Sequence, residues 1–519
     1  MKNYIEILDT TLRDGAQAKG ISLSLEDKKN IYKALTSINI PLIECGNPVS
    51  NQRDKQVFDM LSERKNNLFS LVAFGSTRKK YTSCSEDRNI RAMLECKARI
   101  LCIVGKSSAY QVEKVIHTDL EENLKMIYDT ISILTDNGKS VYFDCEHFFD
   151  GYKDNPEYTL KTLETAKRAG ANCLVLCDTN GSVLPSEVYD IVHLIKKETG
   201  AKLGVHFHND IGCATANSLM AVRAGATHIQ GTMIGLGERC GNANLSEVIP
   251  TLELKMGYET IGSHNIAKLT ETAKTVAKVL DVSIADTMPY VGKNAFCHKG
   301  GMHIDGVMKE ASSFEHISPE QVGNERNLLL SDISGKSVIL EKVNKYVEVQ
   351  SKDDPNVQIF LDALKGKEAL GYQYESAEAS FELLVKQIFH KYNPFFDVEL
   401  YRVMGENTLN NKGNSSALVK VRVGNETEFA GDEGKGPVNA LDKALRKALV
   451  VFFPELSSLR LIDYRVRVVN PSGATAATVR VIMRSTDGKK VFSTIGVSHD
   501  VIEASFHALL DAFEYKLME

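Results

Sequence analysis

The chain has 519 residues with 62 basic and 67 acidic side chains, a formal charge of −5, and is long enough for two or more domains with well-buried cores. The mild, interspersed charge argues against a nucleic-acid partner, and no stretch approaches about eighteen continuous apolar residues, which argues against a membrane span. A cytoplasmic protein is expected, because the chain enters an apolar run at once without a basic-plus-apolar leader.

Short apolar runs recur at Tyr4–Leu8, Leu42–Cys45, Leu68–Phe74, Arg99–Val104, Ser140–Cys145, Cys173–Cys177, Leu203–Phe207 and His228–Met233. Amphipathic stretches separate them, among them Leu25–Ser37, Leu120–Thr135, Pro156–Ala169, Pro185–Glu198 and Ala214–Ala224. Pro185 suits a first helical turn, and Gly170 and Gly225 suit helix ends. This β-then-α rhythm predicts a parallel (β/α)8 TIM barrel over residues 1–265. An open doubly wound sheet would want a glycine fingerprint after its first strand, and none is present. The ten cysteines are scattered without CxxC pairs. Several lie in apolar strands (Cys102, Cys173, Cys177), as buried reduced thiols do.

In such a barrel the polar residues that end the strands converge on one mouth, where active sites of this fold lie. Those ends read Arg13 and Asp14, Glu44, Asp144 and Glu146, Asp178-Thr179-Asn180, and His206-Phe207-His208-Asn209-Asp210, followed by Gly235 to Asn242. His206 and His208 stand at i and i+2, so on a strand they point to the same side. A carboxylate with two imidazoles is a ligand set for a divalent metal, and a neighbouring guanidinium suits a polarised carbonyl oxygen. Glu146 also fits a salt bridge at the mouth, and Thr179 a turn that caps the next helix. His147, His193 and His264 read as solvated or internally satisfied histidines.

At these positions the chain resembles the 2-isopropylmalate, homocitrate and citramalate synthase family. Leu12-Arg13-Asp14-Gly15-x-Gln17 with Lys28 matches one signature of that family. Leu203-x-x-His206-x-His208-Asn209-Asp210-x-Gly212 matches a second, and Gly237-Glu238-Arg239-x-Gly241-Asn242 a third. Asp144 to Lys153, Cys177 to Gly181, Ala379 to Leu384, Gly436 to Leu441 and Ile502 to Ser505 are similar to the (R)-citramalate synthase branch and carry the likeness to the end of the chain.

The resemblance implies a metal-dependent acyltransferase that joins acetyl-CoA to a 2-keto acid, with pyruvate expected. It implies Asp14, His206, His208 and Asn242 as metal ligands, Arg13 on the keto oxygen, Thr179 on the acceptor's carboxylate, and Glu146 beside acetyl-CoA or its enol. It also implies that His303, in Gly300-Gly301-Met302-His303-Ile304-Asp305-Gly306, enters the site of a partner subunit; the bland alternative is a loop cap. Mn2+, Mg2+, Co2+ and Zn2+ all remain open for this ligand set. The alternatives are a 2-isopropylmalate synthase using 2-oxoisovalerate, or a metal-dependent acyl-CoA lyase or aldolase. A non-haem iron oxygenase or an amino-acid sensor on a barrel scaffold fits the pattern less well.

Residues 266–375 read as charged helical linker subdomains without a core of their own, turning at Gly300-Gly301, Ser318-Pro319 and Gly335. From residue 376 to 519 two similar units are expected. The first is a strand Leu418–Val423, a glycine-rich turn Gly431–Gly436 and a helix Pro437–Leu449. The second is a strand Thr478–Met483, a turn at Gly496-Val497-Ser498 and a helix Asp500–Tyr515. The resemblance makes this α+β segment an allosteric, dimer-forming domain whose effector is an amino acid, with isoleucine expected, in a homodimer. The turn at Gly431–Gly436 suits either an anion cradle or a plain hairpin and cap. Three places depart from the branch: Cys45-Gly46-Asn47-Pro48 and Gly105-Lys106-Ser107-Ser108 lack tryptophans common there, and Phe314 replaces a tyrosine.

Overall fold

The computed structural model describes residues 3–50, 52–62, 71–329, 336–349, 351, 354–406, 414–469 and 477–519. Gly335 and the first residues of the expected third strand lie outside them. Two compact units emerge, residues 1–297 with 315–327, and residues 298–314 with 328–519.

The first unit is a closed eight-stranded barrel in sequence order: β1 (Glu6–Asp9), β2 (Leu42–Glu44), β3 (Leu71–Ser76), β4 (Ile100–Lys106), β5 (Ser140–Glu146), β6 (Cys173–Asp178), β7 (Leu203–Phe207) and β8 (His228–Gly231). Every neighbouring pair is parallel, and β1 closes on β8 with Leu8 opposite Gln230. The strands are buried on both faces, which is why they read as continuous apolar runs rather than as alternation. Leu8, Leu42, Val72, Cys102, Tyr142, Cys173, Val175 and Cys177 fill one apolar cluster. A larger one takes in Ile7, Ile43, Leu101, Phe143, Leu176, Val205 and Ile229 with the surrounding helices. The expected buried thiols are found, since Cys45, Cys102, Cys145, Cys173 and Cys177 are free and buried.

Local signals place the helices as expected. Ser24 and Asp27 form a reciprocal capping box at the start of Leu25–Ser37. Asp119 caps Leu120–Asp136, and Pro185 opens a helix that Gly200 ends at φ 59°. Helix Leu269–Val279 buries Leu269, Ala273 and Val276 in the same core as the barrel helices. At the end of the barrel away from the strand C-termini, Glu6 accepts hydrogen bonds from Tyr142 (2.9 Å), Lys202 (2.7 Å) and the buried His228 (2.9 Å).

The second unit holds two three-stranded antiparallel sheets, each followed by a helix. Asp397–Glu406, Asn414–Val423 and Glu426–Gly434 precede helix Pro437–Leu449. Arg460–Val468, Val479–Thr486 and Val491–Ser498 precede helix Val501–Met518. The internal duplication is therefore real, but the repeat is richer than one strand, a turn and a helix. The supposed turns are corrected: Gly431–Gly434 and Gly496 sit inside the third strand of each sheet. Glycine is needed there because the helix backbone lies directly on the strand. A Cβ would stand 2.4 Å from the Ala440 nitrogen at Gly434, and 1.9 Å from the Ala504 oxygen at Gly496.

The segment expected to lack a core contributes to one. Ile304, Val307, Ile339, Val343, Phe360 and Leu364 pack with Phe381, Val385, Ile495 and Val497. Each short helix has too little apolar face to form a core alone, but the faces combine with the second sheet.

Candidate active site

Strand ends deliver the predicted ligands. Thr10 donates its backbone N–H to the Gly231 carbonyl at 2.8 Å, extending β1 alongside β8 before the chain turns through Arg13 and Asp14. His206 lies in β7, and His208 follows it in an isolated bridge with Asn242. The ligand atoms of Asp14, His206 and His208 all lie within 4.8 Å of one another, and all three residues are buried. His206 Nε2 faces Asp14 Oδ2 at 3.2 Å.

Burial works against the Asp14 carboxylate, yet Arg13 and His206 hold it well below the usual carboxylate range. Burial also opposes charge on His206, but the hydrogen bond and charge of Asp14 outweigh it and raise this imidazole. Burial, and then the neighbouring His206, pushes His208 down to about 4, so at neutral pH it keeps a free lone pair. A divalent ion would take the place of the proton between His206 and Asp14.

Whether the pocket suits a metal is tested by its orphaned atoms. His208 Nδ1 and Asn242 Oδ1 are buried with no hydrogen-bond partner, an arrangement that costs stability unless something accepts their lone pairs. Asn242 Nδ2 is spent on the Leu236 carbonyl at 3.0 Å, which leaves Oδ1 as the free end. The close loop depends on Gly237 at φ +156°, where a Cβ would stand 2.3 Å from Asn242 Nδ2. A carboxylate, two imidazoles and an amide oxygen fit a divalent cation.

Arg13 is held from three sides. Its Nε donates to Glu44 Oε2 at 2.5 Å, its Cζ lies 4.0 Å from the centre of the Phe74 ring, and its Nη2 is 3.6 Å from Asp14. Burial opposes its charge, but Glu44 and Asp14 keep the guanidinium above its ordinary value. Beside it opens a cleft of about 400 Å³ lined by Gln17, Lys28, Asn47, Arg53 and Phe74. Asn47, one of the departures from the branch, therefore borders the same cleft as Arg13.

Glu146 ends β5 and pairs with Lys106 at the end of β4, so the salt-bridge reading of this residue is realised. Thr179 Oγ1 accepts the His147 backbone N–H at 2.9 Å, and its carbonyl accepts from Arg239, which also clamps Asp210 at 2.8 Å. His303 lies in the second unit, exposed on helix Gly301–Lys309, with its ring 4.3 Å from that of Phe314. Sequence reading overlooked Gln230 and gave no partner to Lys106. Gln230 was detectable only as a polar residue inside a short strand.

Three family models divide the chain: HMGL-like over residues 4–279, homocitrate synthase post-HMGL domain-like over 290–378, and the LeuA allosteric (dimerisation) domain over 375–517. The chain is 45% identical to the (R)-citramalate synthase of Aquifex aeolicus, covering 100% of this chain and 99% of the relative. It is 44% identical to that of Geobacter sulfurreducens, covering 99% and 98%. The chain belongs to the (R)-citramalate synthase branch of the 2-isopropylmalate synthase family. Similarity to the 2-isopropylmalate synthase of Methanocaldococcus jannaschii is lower, at 30% over 98% of this chain and 93% of the relative. The loops after β2 and β4 carry no tryptophan, and the chain contains none at all.

Proposed function

We propose that the chain condenses acetyl-CoA with pyruvate to give (R)-citramalate and free CoA, acting in the cytoplasm in branched-chain amino-acid synthesis. The observation that carries this reading is the buried Asp14, His206 and His208 cluster beside Arg13, in a chain similar from end to end to citramalate synthases. Asp14, His206, His208 and Asn242 would hold the divalent ion, which when bound supplies Lewis-acid polarisation of the acceptor's keto group. Mn2+, Mg2+, Co2+ and Zn2+ all suit two nitrogens with oxygens.

The chain's own residues account for the rest. Arg13, fixed by Glu44, donates to the keto oxygen as it becomes an alkoxide, in a site where little water competes. The Thr179 hydroxyl accepts from His147, so its own proton is free to bind the acceptor's carboxylate. His303 of a second copy takes a methyl proton from acetyl-CoA, with Glu146 ordering the resulting enolate. The enolate carbon bonds to the keto carbon, the alkoxide is protonated, and water cleaves the thioester to release CoA. The Arg13 cleft is larger than a three-carbon acid fills, and we assign it to the thioester arm.

A homodimer is supported by the outer strand Arg460–Val468, which leaves Leu461, Ile462, Tyr464, Val466 and Val468 exposed. The exposed Met302 and Met308 beside His303 suit burial against a second copy. For the effector, isoleucine, residues 376–519 offer a cleft of about 490 Å³ where Val438, Leu459 and Leu461 meet the Asp442–Arg446 pair. An apolar side chain and a zwitterionic head find partners there.

The test is free-thiol release from acetyl-CoA with pyruvate, 2-oxobutyrate and 2-oxoisovalerate, with and without a chelator. Chelator-sensitive release, greatest with pyruvate, is expected. A larger kcat/KM for 2-oxoisovalerate would overturn the acceptor, and release indifferent to any keto acid would overturn the reaction.

A further inference from the structure

His206 can bind a metal through Nε2 only if its proton sits on Nδ1, and the barrel contains a device that puts it there. Gln230 on β8 is the register partner of His206 on β7, so the two side chains leave adjacent parallel strands on the same side. His206 Nδ1 lies 3.0 Å from Gln230 Oε1. Gln230 is 1% exposed, so its amide must find its partners inside the barrel.

The amide has a defined direction. Its Nε2 donates to Asp144 Oδ1 at 2.9 Å, from across the barrel on β5, and to Cys102 Sγ at 3.8 Å on β4. With Asp144 ionised, turning the amide over would set its oxygen against the carboxylate oxygen, one acceptor facing another. With Nε2 held by Asp144, Oε1 is left for His206, and an oxygen can only accept. His206 Nδ1 must then donate, which leaves Nε2, facing Asp14, as the nitrogen that can exchange its proton for a metal.

We propose that Gln230, oriented by Asp144, is a positioning residue that fixes the metal-binding tautomer of His206. The inference rests on the reading of His206 as a ligand. Hydrogen-bonded partners of this kind orient a ligating imidazole and raise its basicity, and losing one typically costs about 10–100-fold in metal affinity.

The test is Co2+ binding by the full-length protein, titrated alone against a competing chromophoric chelator, with the visible Co2+ spectrum and the thermal midpoint recorded for each variant. Gln230→Met keeps the length of the side chain without its carbonyl, and about a 10–100-fold loss of Co2+ affinity is expected. Gln230→Leu should do the same if the Met variant folds poorly. Gln230→Glu keeps an acceptor for Nδ1–H, its second oxygen having to share a proton with Asp144, and should lose less Co2+ affinity than Gln230→Met, with an unchanged spectrum. Full affinity in folded Gln230→Met, or equal losses in the Met and Glu variants, would overturn the proposal. His206→Ala in the same titration separates the two readings. If it binds Co2+ normally, the ligand assignment itself falls; if it loses Co2+ while Gln230→Met does not, only the role of Gln230 falls.

Discussion

Replacing Glu44 by leucine is the sharpest probe of how Arg13 is held. Glu44 is fully buried and bonds Arg13 Nε at 2.5 Å, while the Arg13 side chain is 15% exposed. Removing one partner of a buried ion pair generally costs about 3–5 kcal/mol, because the other charge is stranded. Arg13 here retains Asp14 at 3.6 Å and the face of Phe74. Glu44 Oε1 is itself without a partner, so its removal also relieves a cost. Both facts bring the expected loss to or below the lower limit of that range, about 2–3 kcal/mol. Glu44→Gln keeps an acceptor for Nε and should lose about 1 kcal/mol. Freed from Glu44, the guanidinium would swing toward Asp14, away from the developing alkoxide, and kcat should fall about 100-fold or more. Urea unfolding followed by far-UV circular dichroism suits a chain without tryptophan, alongside thiol-release kinetics. A leucine variant within about 1 kcal/mol of the parent in stability, and within about threefold in kcat, would refute the reasoning.

Other substitutions probe other links. His206→Ala and His208→Ala should each abolish turnover and release metal while the thermal midpoint shifts little, since both lie at the mouth; metal analysis showing full occupancy would contradict this. Glu6, held at about 2 against its burial chiefly by the His228 hydrogen bond and then Lys202, should stabilise the barrel at neutral pH. Its folded pKa lies below the unfolded value, so the contribution is complete above about pH 4.5 and is lost as pH falls through about 2. The shift corresponds to about 3 kcal/mol, reduced to about 2 because burial keeps His228 neutral at pH 7. Glu6→Gln should therefore be less stable than the parent at pH 7 and equal to it near pH 2, as urea titrations at both pH values would reveal. Tyr464→Ala, in the cleft with Asp442 and Arg446, should abolish inhibition by isoleucine. Truncation after Tyr374 would be a poorer test, because it removes Phe381, Val385, Ile495 and Val497 from a core shared with residues 304–364. Unchanged inhibition in Tyr464→Ala would remove this cleft from consideration.

What the sequence determined by itself was whatever depends on neighbours along the chain. Continuous apolar runs separated by capped amphipathic helices specify a parallel α/β sheet buried on both faces, and eight such units without a glycine fingerprint after the first strand select the barrel over an open sheet. The i, i+2 spacing of His206 and His208 places both imidazoles on one side whatever surrounds them. Arg13 and Asp14 are adjacent and follow the first strand. Tertiary structure decided the partners of these groups. Glu44 meets Arg13, Asp144 and Gln230 line up behind His206, and Lys106 meets Glu146. These pairings follow from strand register and barrel closure, which bring residues as far apart as Asp144 and Gln230 within 2.9 Å. The same holds for Gly434 and Gly496. They read as turn residues in sequence and prove to be strand residues, because the need for glycine comes from a helix backbone lying across the sheet, a contact no local pattern encodes.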